Sequence, residues 1–362
     1  MNRAVDLRKK ASPEVQLNLW TEQSVCQDYV APVVLSKPSP AKPTKVYDTY
    51  WKFAAERQEV FFRKLQNTHG PWTNDAILTK YKFTNAYRAS DRVSQYLIKN
   101  IIYEGKQKTQ EVFFRIILFK TFNKIETWEL LIKKLGAITY SEYNFDLYDK
   151  ILSKNLEKRN PIYSAAYIMS SGRSVFGYSK KHRNHLRLIE LMMKDEIPER
   201  VVELRSMQEL FELLRSYPTI GDFLAYQYAI DINYSELTNF SEMEFIVPGP
   251  GAKDGIRKCF SDLGGLNEID IIQMMVDRQN DEFDRLNISF KTLWGRHLQL
   301  VDCQNLFCEV GKYSRIAHPE IQGLSNRKRI KQMYVSKSES INYWYPPKWG
   351  INHLINSKID SQ

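Results

Sequence analysis

Residues 300–315 read LVDCQNLFCEVGKYSR and concentrate side chains capable of acid–base chemistry and hydrogen bonding. The polar members recur at intervals of three and four residues, which places them on one face if the segment is a helix. These members are Asp302, Asn305, Glu309 and Lys312. A polar cluster in an apolar surround is typical of a binding or catalytic site. The alternative is a solvated helix face with one ion pair between Glu309 and Lys312.

A second segment, residues 217–234, reads YPTIGDFLAYQYAIDINY. Pro218 and Gly221 interrupt one predicted helix before FLAYQYAI begins another, which predicts a helix-turn-helix with the glycine at its corner. The free amide groups of such a turn can bind a DNA phosphate. Asp231 ends the second helix and is either an acidic site residue or the N-cap of a further helix.

Residues 248–260, PGPGAKDGIRKCF, supply a second glycine-rich turn. Gly249, Gly251 and Gly255 permit close backbone approach, and Lys258 follows one helical turn later. The segment either holds a phosphate or simply closes a loop onto a helix. It does not match a Walker motif, in which Gly-Lys precedes Ser or Thr, so no nucleotide triphosphate is indicated.

The segment FTNAYRASDRVSQYL, residues 83–97, places Arg88, Asp91 and Gln95 along one predicted helical stripe. Either Arg88 pairs with Asp91, or the stripe faces a pocket. Amide side chains suit the reading of a base edge, because each offers a donor and an acceptor, and tyrosine rings could stack on a flipped base. The candidates are the amides Gln95, Gln227 and Asn305 and the rings Tyr226, Tyr228 and Tyr313.

These motifs, in this order, resemble the alpha-glutamyl/putrescinyl thymine pyrophosphorylase family, an all-helical relative of the helix-hairpin-helix DNA glycosylases. They are also similar to the helical domain fused to 5-hydroxymethyluracil DNA kinases. The resemblance covers roughly residues 47 to 320 and implies an all-α, helix-hairpin-helix DNA-glycosylase-like domain. In the glycosylase relatives an aspartate after the hairpin stabilises the oxocarbenium-like sugar as the base departs. The resemblance makes Asp231 the candidate for that role.

Composition indicates a folded chain with a polyanionic partner. Of 362 residues, 43% are hydrophobic and 13% aromatic, and 52 Lys and Arg against 42 Asp and Glu give a formal charge of +10. Nucleic acid is the commonest such partner, and the alternative is a merely basic enzyme. The densest basic clusters are Arg173, Lys180, Lys181, Arg183, Arg187 and residues 327–331.

The sequence also predicts where the protein works. No apolar run reaches the ~18 residues of a membrane span, and the first residues lack the apolar core of a signal peptide. Four scattered cysteines form no disulfide framework, which suits a reducing compartment. We therefore expect a cytoplasmic protein with no membrane partner, no structural metal and no cofactor.

Helical periodicity dominates after residue 46. Helices are predicted over residues 47–66, 90–103, 109–122 and 126–136. A leader with a proline-rich linker is predicted over residues 1–45, a helical domain over 46–323, and a basic, aromatic C-terminal arm over 324–362. The arm either contacts phosphates and bases or packs its aromatic rings back on the body.

The predicted activity is a DNA glycosylase that cleaves the N-glycosidic bond of a hypermodified base in double-stranded DNA, such as phage DNA. The resemblance implies two settings, an enzyme that elaborates thymine by displacing a pyrophosphorylated group and a host defence enzyme that removes such bases. One alternative is a base-modifying transferase. A second, which rests on the basic surface instead of the resemblance, is a non-catalytic module that recognises modified DNA. The sequence predicts no oligomeric state.

We expect the site residues to converge on one cleft, with Asp231 stabilising charge on the sugar and Glu309 activating water or fixing the substrate. The predicted catalytic residues are Asp231, Glu309 and Lys312. The predicted substrate-binding residues are Arg88, Asp91, Gln95, Gln227, Asp302, Asn305 and Tyr313. The predicted phosphate-binding residues are Gly221, Gly249, Gly251, Lys258 and Arg315.

Overall fold

The computed structural model describes residues 40–67, 69–335 and 341–357. Most of the predicted leader lies outside this part of the chain. The α-helices are α1 (Lys45–Gln66), α2 (Ala76–Lys80), α3 (Arg92–Leu97), α4 (Thr109–Phe122), α5 (Ile125–Leu135), α6 (Phe145–Glu157), α7 (Arg173–Phe176), α8 (Lys181–Lys194), α9 (Ile197–Glu203), α10 (Met207–Arg215), α11 (Asp222–Asn233), α12 (Pro250–Cys259), α13 (Glu268–Asp277), α14 (Gln279–Arg285), α15 (Leu300–Ala317) and α16 (Asn352–Ser357).

Strands contribute little to the described chain. β1 (Lys42–Pro43) pairs antiparallel with β2 (Phe260–Asp262), and these two form the only sheet found there. The all-α prediction is confirmed. The end of the predicted linker belongs to this fold, because β1 lies within it and Thr44 N donates to Cys259 O at 2.8 Å.

Helix ends follow the local signals in the sequence. α1 begins where Thr44 Oγ1 accepts from Val46 N at 3.1 Å. α4 has the predicted bounds and is followed by the C-cap Asn123, whose φ of 48° is left-handed. α5 ends before Gly136, whose φ of 78° explains the glycine there.

The segment around Arg88 departs from the predicted helical stripe. Residues 83–87 are irregular, Arg88–Ser90 form a 3₁₀ turn, and a π turn (Ile98–Ile102) follows α3. Side-chain carboxylates replace the helical acceptors: Arg88 N donates to a carboxylate oxygen of Asp302 at 2.8 Å, and Asn85 N donates to Asp91 Oδ1 at 2.8 Å. The backbone of this segment is therefore held partly by Asp302, which is distant in sequence, and partly by Asp91 within the segment.

The predicted helix-turn-helix is present as α10, a turn and α11. Ser206 Oγ caps α10 by accepting from Glu209 N at 3.1 Å, while the Glu209 carboxylate accepts from Arg205 N at 2.8 Å. Gly221 is the N-cap of α11. Asp231 lies inside α11, so the alternative that it caps a following helix is wrong.

Two glycines bring α12 and α15 into backbone contact. A Cβ built on Gly255 would lie 1.9 Å from Phe307 O, and one on Gly311 would lie 3.0 Å from Gly255 Cα. No larger side chain fits at Gly255 without separating the helices, and one at Gly311 would require the neighbouring backbone to shift slightly. This close packing places the start of α12 beside Gln304 and Cys308 of α15.

The C-terminal arm packs on the body. Tyr345 is fully buried, its hydroxyl lies 2.8 Å from Ser90 Oγ, and Trp344 N donates to Gln95 Oε1 at 2.8 Å. Lys348 Nζ donates to two backbone carbonyls, at 2.8 and 2.6 Å. The aromatic residues of the arm therefore complete the core. No helix among the described residues combines the length and apolar character needed to cross a membrane.

Candidate functional site

A buried carboxylate lies between two cations at the centre of the fold. Asp231 Oδ1 is 2.8 Å from Arg88 Nη1, and Asp231 Oδ2 is 2.7 Å from Lys120 Nζ. Arg88, Lys120 and Asp231 are 6%, 3% and 1% exposed. With Lys120 protonated, this cluster, here called the ionic centre, carries one positive charge in excess.

Sequence reasoning missed Lys120. Every residue of α4 from Glu111 to Phe122 is buried, so Lys120 lies on a helix that is surrounded on all sides. The signal was a lysine within the apolar run VFFRIILFKTF, because a charge in a buried helix requires a partner. The partner is Asp231, on the equally buried α11.

The three charges set one another's titration. Burial raises the pKa of Asp231, but the charges of Arg88 and Lys120 outweigh burial and hold that pKa below its ordinary value. Burial lowers the pKa of Lys120, and the attraction of Asp231 offsets only part of this. Asp231 is thus a carboxylate at neutral pH, and Lys120 gives up its proton more readily than an exposed lysine.

Neutral side chains fix the geometry of Arg88. Gln227 Oε1 accepts from Arg88 Nε at 3.2 Å and from Nη2 at 3.1 Å, and Tyr234 OH accepts from Nη1 at 3.1 Å. Lys120 Nζ donates to Asn123 Oδ1 at 3.3 Å. Of the predicted residues, Arg88, Gln227 and Asp231 are therefore brought together.

The polar face of α15 holds the chain that leads to Arg88. Glu309 Oε2 accepts from Thr84 N at 2.8 Å and from Lys312 Nζ at 2.7 Å. Asn305 Nδ2 donates to Thr84 Oγ1 at 3.0 Å and to Asn85 O at 3.2 Å. Glu309, Lys312 and Asn305 thus anchor residues 84–85 rather than contact Asp231.

Two further carboxyl groups flank the Arg88 turn. Burial raises the pKa of Asp302 to about 7, although the backbone amides of Arg88 and Gln299 that donate to it oppose the shift. Burial likewise raises the pKa of Asp91 to about 7, against the hydrogen bond from Asn85. Both groups are placed to hold a proton near neutral pH.

Four other predicted residues form hydrogen bonds within the chain. Their contacts with DNA or a base remain predictions. Gln95 donates to Ala89 O at 2.8 Å, in addition to its bond with Trp344. Tyr313 OH donates to Asp75 Oδ2 at 2.6 Å. Lys258 is 3% exposed and donates to Gly311 O at 2.8 Å, and Arg315 Nη1 donates to Arg329 O at 3.3 Å.

The predicted glycine turns lie at helix N-termini that no side chain caps. Gly221 precedes α11 and Gly249 precedes α12. A Cβ on Gly249 would lie 2.9 Å from the Phe223 ring, and one on Gly251 would lie 3.0 Å from Cys308 Sγ. The turn before α12 is therefore packed closely against Phe223 and Cys308, whereas a Cβ on Gly221 would meet nothing within 4 Å.

A separate polar cavity of about 310 Å³ adjoins the C-terminal end of α11. Tyr234 connects it with the ionic centre, because its hydroxyl binds Arg88 and its ring centroid lies 5.8 Å from that of Trp349. The cavity is lined by Asn233, Asn239, Phe240, Ser241, Glu242, Arg296, Gln299, Lys348 and Trp349.

Comparison with known proteins gives a family. The model of the family described as 5-hmdU DNA kinase, helical domain, matches residues 44–323. A 5-hmdU DNA kinase of Bacillus phage SP10 is 26% identical over an alignment of 323 residues, and the alignment covers 83% of this chain and 50% of that protein. The chain thus spans about half the length of this curated relative. No solved structure matches.

The comparison corrects the predicted activity. A DNA glycosylase that leaves an abasic site is contradicted, because the relative is named a kinase, which transfers a phosphate group and leaves the glycosidic bond alone. The role given to Asp231 in stabilising an oxocarbenium ion falls with that activity. The match to residues 44–323 is to the kinase-associated helical domain, and the chain belongs to the family of 5-hmdU DNA kinase helical domains.

Proposed function

We propose that this chain binds DNA containing 5-hydroxymethyluracil, or a base made from it, and takes part in a transfer reaction at the 5-substituent of that base. The family supports the modified base as the target. A pyrophosphorylase-like transferase, in which an incoming nucleophile bonds to the 5-methylene carbon of a modified thymine as the pyrophosphate group leaves it, is one form of this proposal. We also infer that the helices of this chain have the helix-hairpin-helix, glycosylase-like arrangement.

The observation that carries the proposal is the excess positive charge of the ionic centre. Transfer of a phosphate group, or departure of a pyrophosphate, develops negative charge that fixed cations stabilise. An oxocarbenium ion is positive, and the cations Arg88 and Lys120 would oppose it. The ionic centre therefore suits chemistry at a phosphate-bearing 5-substituent better than cleavage at the sugar.

Each member of the ionic centre has a role in this proposal. Arg88 and Lys120 face the developing negative charge, and Lys120 can exchange a proton with an oxygen of the 5-substituent, since burial lowers its pKa. Asp231 keeps both cations in place. Gln227 fixes the plane of the guanidinium, because it binds two of its nitrogens.

DNA would approach the turns before α11 and α12. The N-termini of both helices lack side-chain caps at Gly221 and Gly249, and such amide groups suit phosphates. Arg173 and Lys180 are exposed and supply charge for phosphate neutralisation. We keep Gly221, Gly249 and Gly251 as proposed phosphate contacts.

Mass spectrometry of DNA nucleosides tests the reaction. A duplex with 5-hydroxymethyluracil at one position and a matched thymine duplex are incubated with the chain, ATP and Mg²⁺, then digested. The proposal expects every glycosidic bond to stay intact, and any change of mass to be confined to the 5-substituent of the modified base. Free base and abasic sites would contradict it.

A second candidate function is a non-catalytic module that recognises modified DNA. The observation that favours it is that the chain spans about half of its relative, so the transfer step could belong to another part of such a protein. This candidate expects preferential binding of 5-hydroxymethyluracil duplexes with no change of nucleoside mass under any condition. The same digest therefore separates the two functions.

A further inference from the structure

The ionic centre is closed in this structure. Arg88, Lys120 and Asp231 are each less than a tenth exposed, so a base can reach them only if a covering segment moves. Residues 158–172 join α6 to α7 without forming a helix. Tyr167, within this connection, is the residue whose ring covers Lys120.

The Tyr167 ring contacts both an aromatic ring and a cation. Its centroid lies 5.7 Å from that of Phe223 with an interplanar angle of 11°, and Lys120 Nζ lies 4.3 Å from its centroid. Any planar aromatic ring of similar size could make the same two contacts. These two contacts therefore define a slot that could hold any such ring, not tyrosine alone.

The backbone at Tyr167 is strained. Its φ is 57°, in the left-handed region that costs free energy for a residue with a side chain. Strain of this kind persists where surrounding contacts hold a residue in place, and it is concentrated at functional sites.

The slot opens toward the surface at Phe223. This side chain is 36% exposed and packs beside Gly249, where a Cβ would lie 2.9 Å from the Phe223 ring. Ile168, next in the chain to Tyr167, is 73% exposed. The covering segment therefore lies at the surface, where a DNA strand on the Gly249 turn could displace it.

We propose that the Tyr167 ring occupies a pyrimidine-binding slot, and that the base enters when Tyr167 swings out. The incoming ring stacks on Phe223 with Lys120 over its other face, and its 5-substituent lies against the ionic centre. The identity of that substituent rests on the proposed function, whereas the slot itself requires only a pyrimidine ring.

Calorimetric titration with free nucleosides tests the slot. The parent chain, Tyr167→Ala and Tyr167→Phe are titrated with 5-hydroxymethyl-2′-deoxyuridine, with thymidine, and with 2-deoxyribose, which lacks a ring. We expect Tyr167→Ala to bind the nucleosides about tenfold more tightly than the parent chain, because the ring no longer competes for the slot. Tyr167→Phe should match the parent, and deoxyribose should not bind.

A second variant guards against a folding artefact. Adding Phe223→Leu to Tyr167→Ala removes a wall of the slot and should abolish the gain, with thermal unfolding of each variant recorded in parallel. No tighter nucleoside binding by a folded Tyr167→Ala chain overturns the slot. If Tyr167→Ala does not fold, Phe223→Leu alone decides: it should weaken binding of a 5-hydroxymethyluracil duplex, and unchanged binding overturns the slot.

Two outcomes separate this inference from the proposed function. An equal gain for thymidine and for 5-hydroxymethyl-2′-deoxyuridine supports the slot and counts against the proposed recognition of the 5-substituent. No gain for either nucleoside, together with a preference of the parent chain for duplexes with 5-hydroxymethyluracil, overturns the slot and leaves the proposed function standing.

Discussion

Lys120 Nζ and Asp231 Oδ2 lie 2.7 Å apart, on two helices that are both buried. Arg88 Nη1 binds the other oxygen of the same carboxylate. Asp231 is therefore the only negative charge among the three groups of the ionic centre, and each cation depends on it for neutralisation. The stability of the fold and the charge of the site are coupled through this one side chain.

Asp231→Asn should destabilise the protein more than Lys120→Met. The first change leaves two cations without their carboxylate, for which removal of one partner from a buried ion pair costs about 3 to 5 kcal/mol. The second leaves Arg88 and Asp231 as a neutral pair, and an apolar side chain of similar length replaces the ammonium. Urea unfolding of both variants measures the two costs.

The order of these two costs in the free energy of unfolding tests whether the ionic centre carries excess positive charge. If Lys120→Met were the more destabilising change, the ionic centre would not carry excess positive charge in the folded protein. Lys124→Met serves as the control, because Lys124 pairs with Glu126 at 3.1 Å near the surface and such pairs contribute about 1 kcal/mol or less.

Asp302→Asn should cost more stability at pH 5 than at pH 8. Burial raises the pKa of Asp302 to about 7 in the folded protein, above the ordinary ~3.9 of an unfolded chain. The stabilisation that protonated Asp302 contributes is therefore complete below pH ~4 and is lost as the pH rises through about 7, by at most ~1.4 kcal/mol per pH unit. Urea unfolding at both pH values measures the difference.

A cost that grows with pH would contradict this prediction. It would mean that the two amide donors, Arg88 N at 2.8 Å and Gln299 N at 3.1 Å, stabilise an ionised Asp302 more than burial destabilises it.

Gly255→Ala should destabilise the chain by about 3 kcal/mol, at the upper end of overpacking costs. The new Cβ would lie 1.9 Å from Phe307 O, and a backbone atom in a helix cannot move aside alone. Gly221→Ala is the matched control, because a Cβ there meets nothing within 4 Å, and its cost should stay below about 1 kcal/mol. Equal chemical denaturation midpoints for the two variants would show that α12 and α15 are not in backbone contact.

The helical elements were predictable because their periodicity, caps and terminal glycines are local, as at Ser206 and Gly136. The segment around Arg88 was not, since its backbone amides donate to side-chain carboxylates, that of Arg88 to Asp302, which is distant in sequence, and that of Asn85 to Asp91. Arg88 therefore pairs with Asp231 instead of Asp91. A single sequence does not show which acidic residue a given cation pairs with in the folded chain.

Part of the candidate site was predictable from local features of the sequence. Asp231, Arg88 and Gln227 stood out as polar residues in apolar segments, and the structure brings them together. Lys120 was missed, although it lies in the apolar run VFFRIILFKTF, because it is one of 52 Lys and Arg residues in a basic chain. The activity was mispredicted because the glycosylase relatives supplied a role for Asp231 that ignores its two cationic neighbours.

DNA binding should weaken steeply as salt rises, since each neutralised phosphate adds a counterion term. Arg173→Ala should reduce the slope of log K against log salt by about one, because Arg173 is exposed. Arg183→Ala is the control: both of its guanidinium contacts at 2.8 Å go to Asp149, so the slope should change less. Affinity that does not vary between low and moderate salt would exclude phosphate contacts as the source of binding.

The most direct test of the account compares equilibrium binding of two duplexes that differ only in 5-hydroxymethyluracil against thymine at one position. The parent chain and Lys124→Met should prefer the modified duplex by about tenfold, the value of one hydrogen bond to a charged group. Lys120→Met should bind both duplexes alike. Equal binding of the two duplexes by the parent chain, or a preference that Lys120→Met retains in full, would contradict the claim that the ionic centre recognises the 5-substituent.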